Sequence, residues 1–173
     1  LALYVWTAVS TNHPYQFGPP GYYNLLADAF LAGRVSLLVA PRPELLVLTD
    51  PYDPVANRAF RMHDLVLYES KYYLPWGPGP ALVLFAPFKL ITGAYFAQHV
   101  AVALFCFGGF LGALLLLRLL TQAYFPATPL WMRFAAAAAL GLSNVAPFLL
   151  RRPEVYEVAI AAGYCFLWCT KGG

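Results

Sequence analysis

Long uncharged runs alternate with a single polar stretch along this chain. No charged residue lies between Lys71 and Lys89, between Lys89 and Arg118, or between Arg133 and Arg151, whereas the segment from Thr11 to Lys71 holds six of the eight carboxylates. Such runs suit a hydrocarbon solvent, because charge is costly there and a spanning helix takes about 20 apolar residues. The pattern predicts a first span ending in Leu1–Ser10. It predicts a second over Ala81–Thr92, bent at Pro87, and a third over Val100–Leu117. A fourth is expected over Phe134–Leu150, and a fifth starts at Val158–Thr170. In the third, Gly108, Gly109 and Gly112 would let a neighbouring helix approach closely. The alternating segments of about ten residues that build a membrane barrel are absent.

Within the polar stretch, Pro20 and Gly33 bracket a predicted helix over Tyr22–Ala32. Its apolar stripe is Tyr22, Leu26, Ala29 and Phe30 or Leu25, with Asn24 and Asp28 on another side, so it would lie flat on a bilayer surface. Asp50-Pro51 and Asp53-Pro54 read as turns, because proline bars the preceding residue from helix. Asn57–Glu69 then carries Arg58, Arg61, His63 and Asp64, and Lys71-Tyr72-Tyr73 leads through Trp76 into the second span. These aromatic residues fit an interfacial belt.

Composition agrees: 61% of the 173 residues are hydrophobic and 11% are charged. The expected fold is an all-α polytopic transmembrane bundle with a partly helical extracytoplasmic first loop. It forms one membrane domain fragment over 1–173, with 1–10 the end of the first span, 11–75 the loop and 76–173 spans two to five. The chain starts at Leu1 inside an apolar run, which reads as the amino-terminal piece of something longer. The Arg151–Arg152 pair favours a cytoplasmic loop after span four, and counting back puts the long loop outside. The net charge of +3 is scattered, with no basic run of the kind that grips nucleic acid. Cys106, Cys165 and Cys169 all lie in apolar segments and read as small buried hydrophobes; Cys165 and Cys169 share a helix face but lack a nearby histidine for a metal site.

The chemistry therefore belongs to the loop, and each candidate has a plainer reading beside it. Asp50 and Asp53, three apart, would bind a divalent cation, share a proton or simply form turns. Nothing else in the sequence points to a cofactor. Asp28 is a reactive carboxylate or the polar side of an amphipathic helix. His63 and Asp64 form a functional pair or a local hydrogen bond. Arg58, Arg61 and Lys71 bind phosphate or anchor on lipid headgroups. Glu154 and Glu157 adjoin Arg151 and Arg152 as local ion pairs, and His99 is interfacial.

Tyr22-Tyr-Asn-Leu-Leu-Ala-Asp-Ala-Phe-Leu-Ala-Gly-Arg34, then His63-Asp-Leu-Val-Leu-Tyr-Glu-Ser-Lys-Tyr-Tyr-Leu-Pro-Trp-Gly-Pro-Gly-Pro80 and Ala86-Pro-Phe88, resemble bacterial membrane proteins of the GT-C glycosyltransferase type. That superfamily includes protein O-mannosyltransferases and lipid A aminoarabinose transferases, and the likeness covers roughly residues 1 to 95. It implies an enzyme of the bacterial inner membrane, multi-pass, that moves a sugar from a polyprenyl-phosphate donor to a lipid, glycan or protein acceptor. A carboxylate of the first loop would be the base. Members carry an acidic residue just ahead of the Tyr-Tyr helix start, where this chain has Phe17-Gly-Pro-Pro-Gly21. The role then falls to Asp64, Asp28 or Asp53, with Glu157 next in line, and Arg58, Arg61 and Lys71 bind the donor phosphate. The alternative is a non-catalytic membrane component, a transporter subunit or assembly scaffold, for which Ser143-Asn144 and Pro147 in span four are the one hint.

Overall fold

The computed structural model describes Tyr4, Trp6 and residues 20–169. The expected first span and its exit, through residue 19, lie outside the described residues apart from Tyr4 and Trp6, as does Thr170. The chain is mostly helical and divides into two compact units, Pro19–Phe96 and Ala97–Gly173 with Leu1–Gly18.

In the first unit, helix α1 spans Tyr22–Leu31. It stops where Gly33 takes φ +70°, with Gly33 N–H on the Phe30 carbonyl at 2.9 Å and Arg34 N–H on the Ala29 carbonyl at 2.8 Å. These two bonds satisfy carbonyls that a helix end would otherwise orphan, and only glycine takes that φ without a steric cost. The short α2, Pro43–Leu46, follows Arg42 with its proline at the first position.

A hairpin then departs from the all-α expectation. Strand β1, Val66–Tyr68, pairs antiparallel with β2, Lys71–Tyr73, in the register Val66 to Tyr73 and Tyr68 to Lys71. The two-residue loop is Glu69-Ser70, and both residues have positive φ, 46° and 57°. That is the conformation a tight hairpin needs to match strand twist, met here without the Asn-Gly that favours it. Tyr72 is buried on one face of the hairpin while Val66 and Tyr68 are exposed on the other.

The expected second span begins as a π-helical turn, Ala81–Phe85, and continues as α3, Ala86–Thr92. Pro87 explains the wide turn, because its ring would clash with the carbonyl four residues back and it has no N–H to donate. Helix α1 packs on this segment: Tyr23 stacks on Phe85 with ring centroids 5.6 Å apart, and Phe96 meets Phe85 and Phe88 edge-on at 5.7 and 4.7 Å. Leu82, Val83, Leu90 and Ile91 on the same segment remain exposed.

The second unit is built on α4, Gln98–Tyr124, whose 27 residues rise about 40 Å, more than the hydrocarbon thickness of a bilayer. Among the described helices it is the one long and apolar enough to cross a membrane, and only 33% of its most apolar window is buried. Leu104, Leu111, Leu115 and Leu119 form an exposed stripe along it, while Ala101, Val102, Phe105, Cys106, Gly109 and Ala113 face inward. Against that inner face lies α7, Val155–Cys169. The glycines permit the contact: a methyl group on Gly109 or Gly112 would overlap Tyr164 or Trp168, and one on Gly108 would sit 2.7 Å from Cys165 Sγ. Small residues bring helix backbones together in this way where water provides no driving force.

The expected fourth span divides. Helix α5, Leu130–Leu142, ends at Ser143, and α6, Ala146–Arg151, restarts with Pro147 in its first turn. Ser143 donates to the Ala139 carbonyl, Asn144 Nδ2 to the Leu140 carbonyl at 2.7 Å, and Tyr4 to the Gly141 carbonyl at 2.7 Å. Asn144 Oδ1 accepts the Ala146 N–H at 2.9 Å, so the break is hydrogen-bonded on both sides. Helices α5 and α7, and the joined Ala81–Thr92 segment, are described at lengths shorter than a bilayer needs.

Candidate functional site

Four residues apart on α1, Asn24 and Asp28 occupy the same helix face. The expectation set them away from the apolar packing. Both instead face the neighbouring segment. Asn24 is buried and locks the backbone of Phe96 from both sides, donating from Nδ2 to its carbonyl at 2.9 Å and accepting its N–H on Oδ1 at 3.0 Å. This fixes the chain just past Gly93, which at φ +71° ends α3 and turns it back toward α1.

The turn delivers two groups to Asp28. Lys89, in the last turn of α3, forms an ion pair with Asp28 Oδ1. Tyr95 donates its hydroxyl to Asp28 Oδ2 at 2.9 Å, and Lys89 Nζ also lies 4.0 Å from the Tyr95 ring centroid. Both carboxylate oxygens are engaged, and the ammonium has an anion and an aromatic face. The side chains of Lys89 and Asp28 keep 23% and 16% of their exposure, so solvent or a ligand still reaches the pair. Lys89 and Tyr95 were not among the sequence candidates. The signal was there, because Lys89 is the one charge in a run from Tyr72 to Leu117, and an ionisable group in such a run calls for a partner.

A second setting lies at the start of α1. Tyr22 donates its hydroxyl to the His63 carbonyl at 2.6 Å, and His63 Nδ1 lies 2.8 Å from Asp64 Oδ1. Asp64 has φ +62°, a left-handed conformation that asparagine and aspartate tolerate better than most residues. Burial, and then the Asp64 carboxylate and Tyr72, push the Tyr22 hydroxyl's pKa up, which keeps it a donor. Met62 N–H is 3.3 Å from the Tyr72 hydroxyl, so α1 and the hairpin both hold the segment before Asp64.

The remaining candidates have local roles. Asp50 Oδ1 accepts the Tyr52 N–H and Asp53 Oδ1 the Val55 N–H, each at 2.8 Å, which makes both of them turn formers, as the Asp-Pro steps implied. Asn57 ties the same loop together through its Nδ2 bond to the Pro51 carbonyl at 2.9 Å. Arg58, Arg61 and Lys71 are exposed, and among the described residues none of them forms an ion pair with Asp28, Asp53 or Asp64. Arg152 pairs with Glu154 at 3.1 Å, a contact that raises its pKa. Glu157 is buried and accepts the Glu154 N–H at 3.2 Å, the backward half of a capping box at the start of α7. His99 lies in the first turn of α4. Cys106 is buried, Cys165 packs on Gly108, and the side chain of Cys169 lies outside the described residues. Among the described residues, no group of three or more His, Cys, Asp or Glu side chains comes together around a point where a metal would sit. No protein-family model, no curated protein and no solved structure matches the chain.

Proposed function

We propose that the chain is a multi-pass glycosyltransferase of the bacterial inner membrane that moves a sugar from a polyprenyl-phosphate donor to a lipid, glycan or protein acceptor. One observation carries this reading: α1 holds a cation–carboxylate pair at Asp28 and a histidine–carboxylate pair at Tyr22, six residues away, or about 9 Å of helix rise. Displacement with inversion at an anomeric carbon needs a proton acceptor behind the incoming oxygen and positive charge on the departing phosphate.

Lys89 is the cation for the donor phosphate, with Asp28 as its counter-ion before the donor arrives, and the His63–Asp64 pair is the proton acceptor. Arg58, Arg61 and Lys71, all exposed, meet lipid headgroups or further donor phosphate oxygens. The length of α4 and the apolar residues exposed on α4, α5 and the Ala81–Thr92 segment support a hydrocarbon surrounding. The test is transfer from a radiolabelled polyprenyl-phosphate sugar by the protein in membranes. Lys89→Ala should abolish transfer while the protein still inserts; transfer at the unaltered rate in that variant would sink the reading.

The break at Ser143–Val145 favours the competing reading, a transporter subunit or scaffold without catalysis, since interrupted helices commonly carry substrate and ion sites. Against it, the carbonyls of Ala139, Leu140 and Gly141, which such a break would offer to an ion, already accept bonds from Ser143, Asn144 and Tyr4.

A further inference from the structure

We infer that the atom which takes the acceptor's proton is His63 Nε2, and that Asp64 is its positioning residue and not the base. The inference rests on the proposed transferase reading and names the group that would deprotonate its acceptor. Three observations lead to it. His63 is bonded through Nδ1 to Asp64 Oδ1 at 2.8 Å, and in a neutral ring an Nδ1–H donated to a carboxylate leaves Nε2 as the free acceptor. The two partners differ in access: the His63 side chain is 77% exposed and that of Asp64 15%, so a bulky acceptor meets the imidazole first. The pair is also held from behind. Tyr22 grips the His63 carbonyl at 2.6 Å, Tyr72 binds the preceding Met62 N–H, and Asp64 itself takes a left-handed φ of +62°.

Among the described residues, Asp64 bonds to the imidazole, while Tyr22 from α1 and Tyr72 from β2 hold the backbone beside it, at the His63 carbonyl and the Met62 N–H. Neither tyrosine bond uses the His63 side chain, so both survive substitution at position 63. In the step itself, the acceptor O–H proton moves to Nε2 as the acceptor oxygen bonds to the anomeric carbon. The bond from that carbon to the phosphate oxygen breaks, and its electron pair leaves on the phosphate. The imidazolium, steadied by the Asp64 carboxylate, then returns the proton to water.

The experiment measures transfer from a polyprenyl-phosphate sugar by the membrane-embedded protein and three variants. His63→Ala is expected to lower kcat by about a hundredfold or more, the usual worth of a positioned general base, and added imidazole should restore part of it. His63→Gln should lower kcat to a similar extent. Asp64→Asn keeps an oxygen for Nδ1–H and should lower kcat less than His63→Ala, with the KM for donor unchanged. Unchanged transfer in His63→Gln would overturn the inference and leave the transferase reading standing. So would loss of transfer in His63→Ala that imidazole fails to restore, joined to an equal loss in Asp64→Asn, which would return the base to Asp64. Absence of transfer by the unaltered protein would overturn both.

Discussion

The two units solve the same problem, holding segments together, by different means. In Ala97–Gly173 the contact between α4 and α7 rests on what is missing, the side chains of Gly108, Gly109 and Gly112, and Cys165, Tyr164 and Trp168 fill the space they leave. Phe105 meets Phe166 edge-on at 5.7 Å across the same pair of helices. In Pro19–Phe96 polar groups join the aromatic packing of Tyr23, Phe85 and Phe96: Asn24 on the Phe96 backbone, Asp28 on Lys89 and Tyr95, and Tyr22 on His63. Close apolar packing tolerates almost no change of shape but offers no reactive group. Polar clamps keep their atoms available, so a ligand can compete for them.

This difference breaks most sharply at the glycines. Gly109→Leu should destabilise the second unit by roughly 3 kcal/mol, the upper end of ordinary overpacking, because the new side chain meets the Tyr164 ring with nowhere to go. Gly163→Leu on α7, where nothing lies within 4 Å of the added carbon, is the control and should cost little. Unfolding in detergent followed by near-ultraviolet dichroism separates the two.

In the first unit, Lys89→Ala strands a half-buried carboxylate. Full burial of such a pair would make this cost several kcal/mol, but solvent screening of a pair this exposed brings it to about 2 kcal/mol. Asp28→Asn combined with Lys89→Gln should recover most of that loss in a double-mutant cycle. If the double variant is as unstable as the sum of the singles, the ion pair is not what joins α1 to α3.

Alkaline pH tests the same unit through Tyr23, whose hydroxyl burial pushes up to about 12 from 10.0. The folded state therefore holds this proton more tightly than the unfolded chain does. The stabilisation is complete below pH 10 and is lost as pH rises from there toward 12. Tyr23→Phe should flatten that part of the stability curve, and an unaltered alkaline slope would assign it to another tyrosine. A smaller gain is expected from Glu69→Asn with Ser70→Gly, which gives the hairpin loop residues suited to positive φ and should add about 1 kcal/mol. Thermal unfolding reads it directly.

Much of the local structure was legible in the chain. Pro20 and Gly33 bracketed α1 to within a residue, the Asp-Pro steps announced the turns at Asp50 and Asp53, and three glycines marked the close face of α4. What periodicity could not supply was the partner. Asn24 and Asp28 looked like a polar side turned away from the packing because nothing in a helical repeat says that a backbone amide and a lysine, more than sixty residues on, will arrive opposite them. The hairpin escaped notice for a different reason: Glu-Ser does not announce a tight turn, and its conformation is imposed by the strands on either side. The division of span four was signalled by Ser143, Asn144 and Pro147 together, but continuous hydrophobicity on both sides outweighed them.

The π turn at Ala81–Phe85 makes the Asp28–Lys89 pair a matter of counting. A wide turn is one residue added to an ordinary helix, and each residue of an α-helix advances the direction of its side chains by about 100°. The wide turn absorbs that extra residue, so the residues after it keep the directions of an uninterrupted helix; if the same residues closed to an ordinary turn, Lys89 would be carried about a quarter-turn round the helix axis, off the carboxylate it now meets. The ion pair therefore depends on the turn staying wide, which no tally of charges or hydrophobicity records, and a substitution such as Pro87→Ala that let the turn tighten would draw Lys89 away from Asp28.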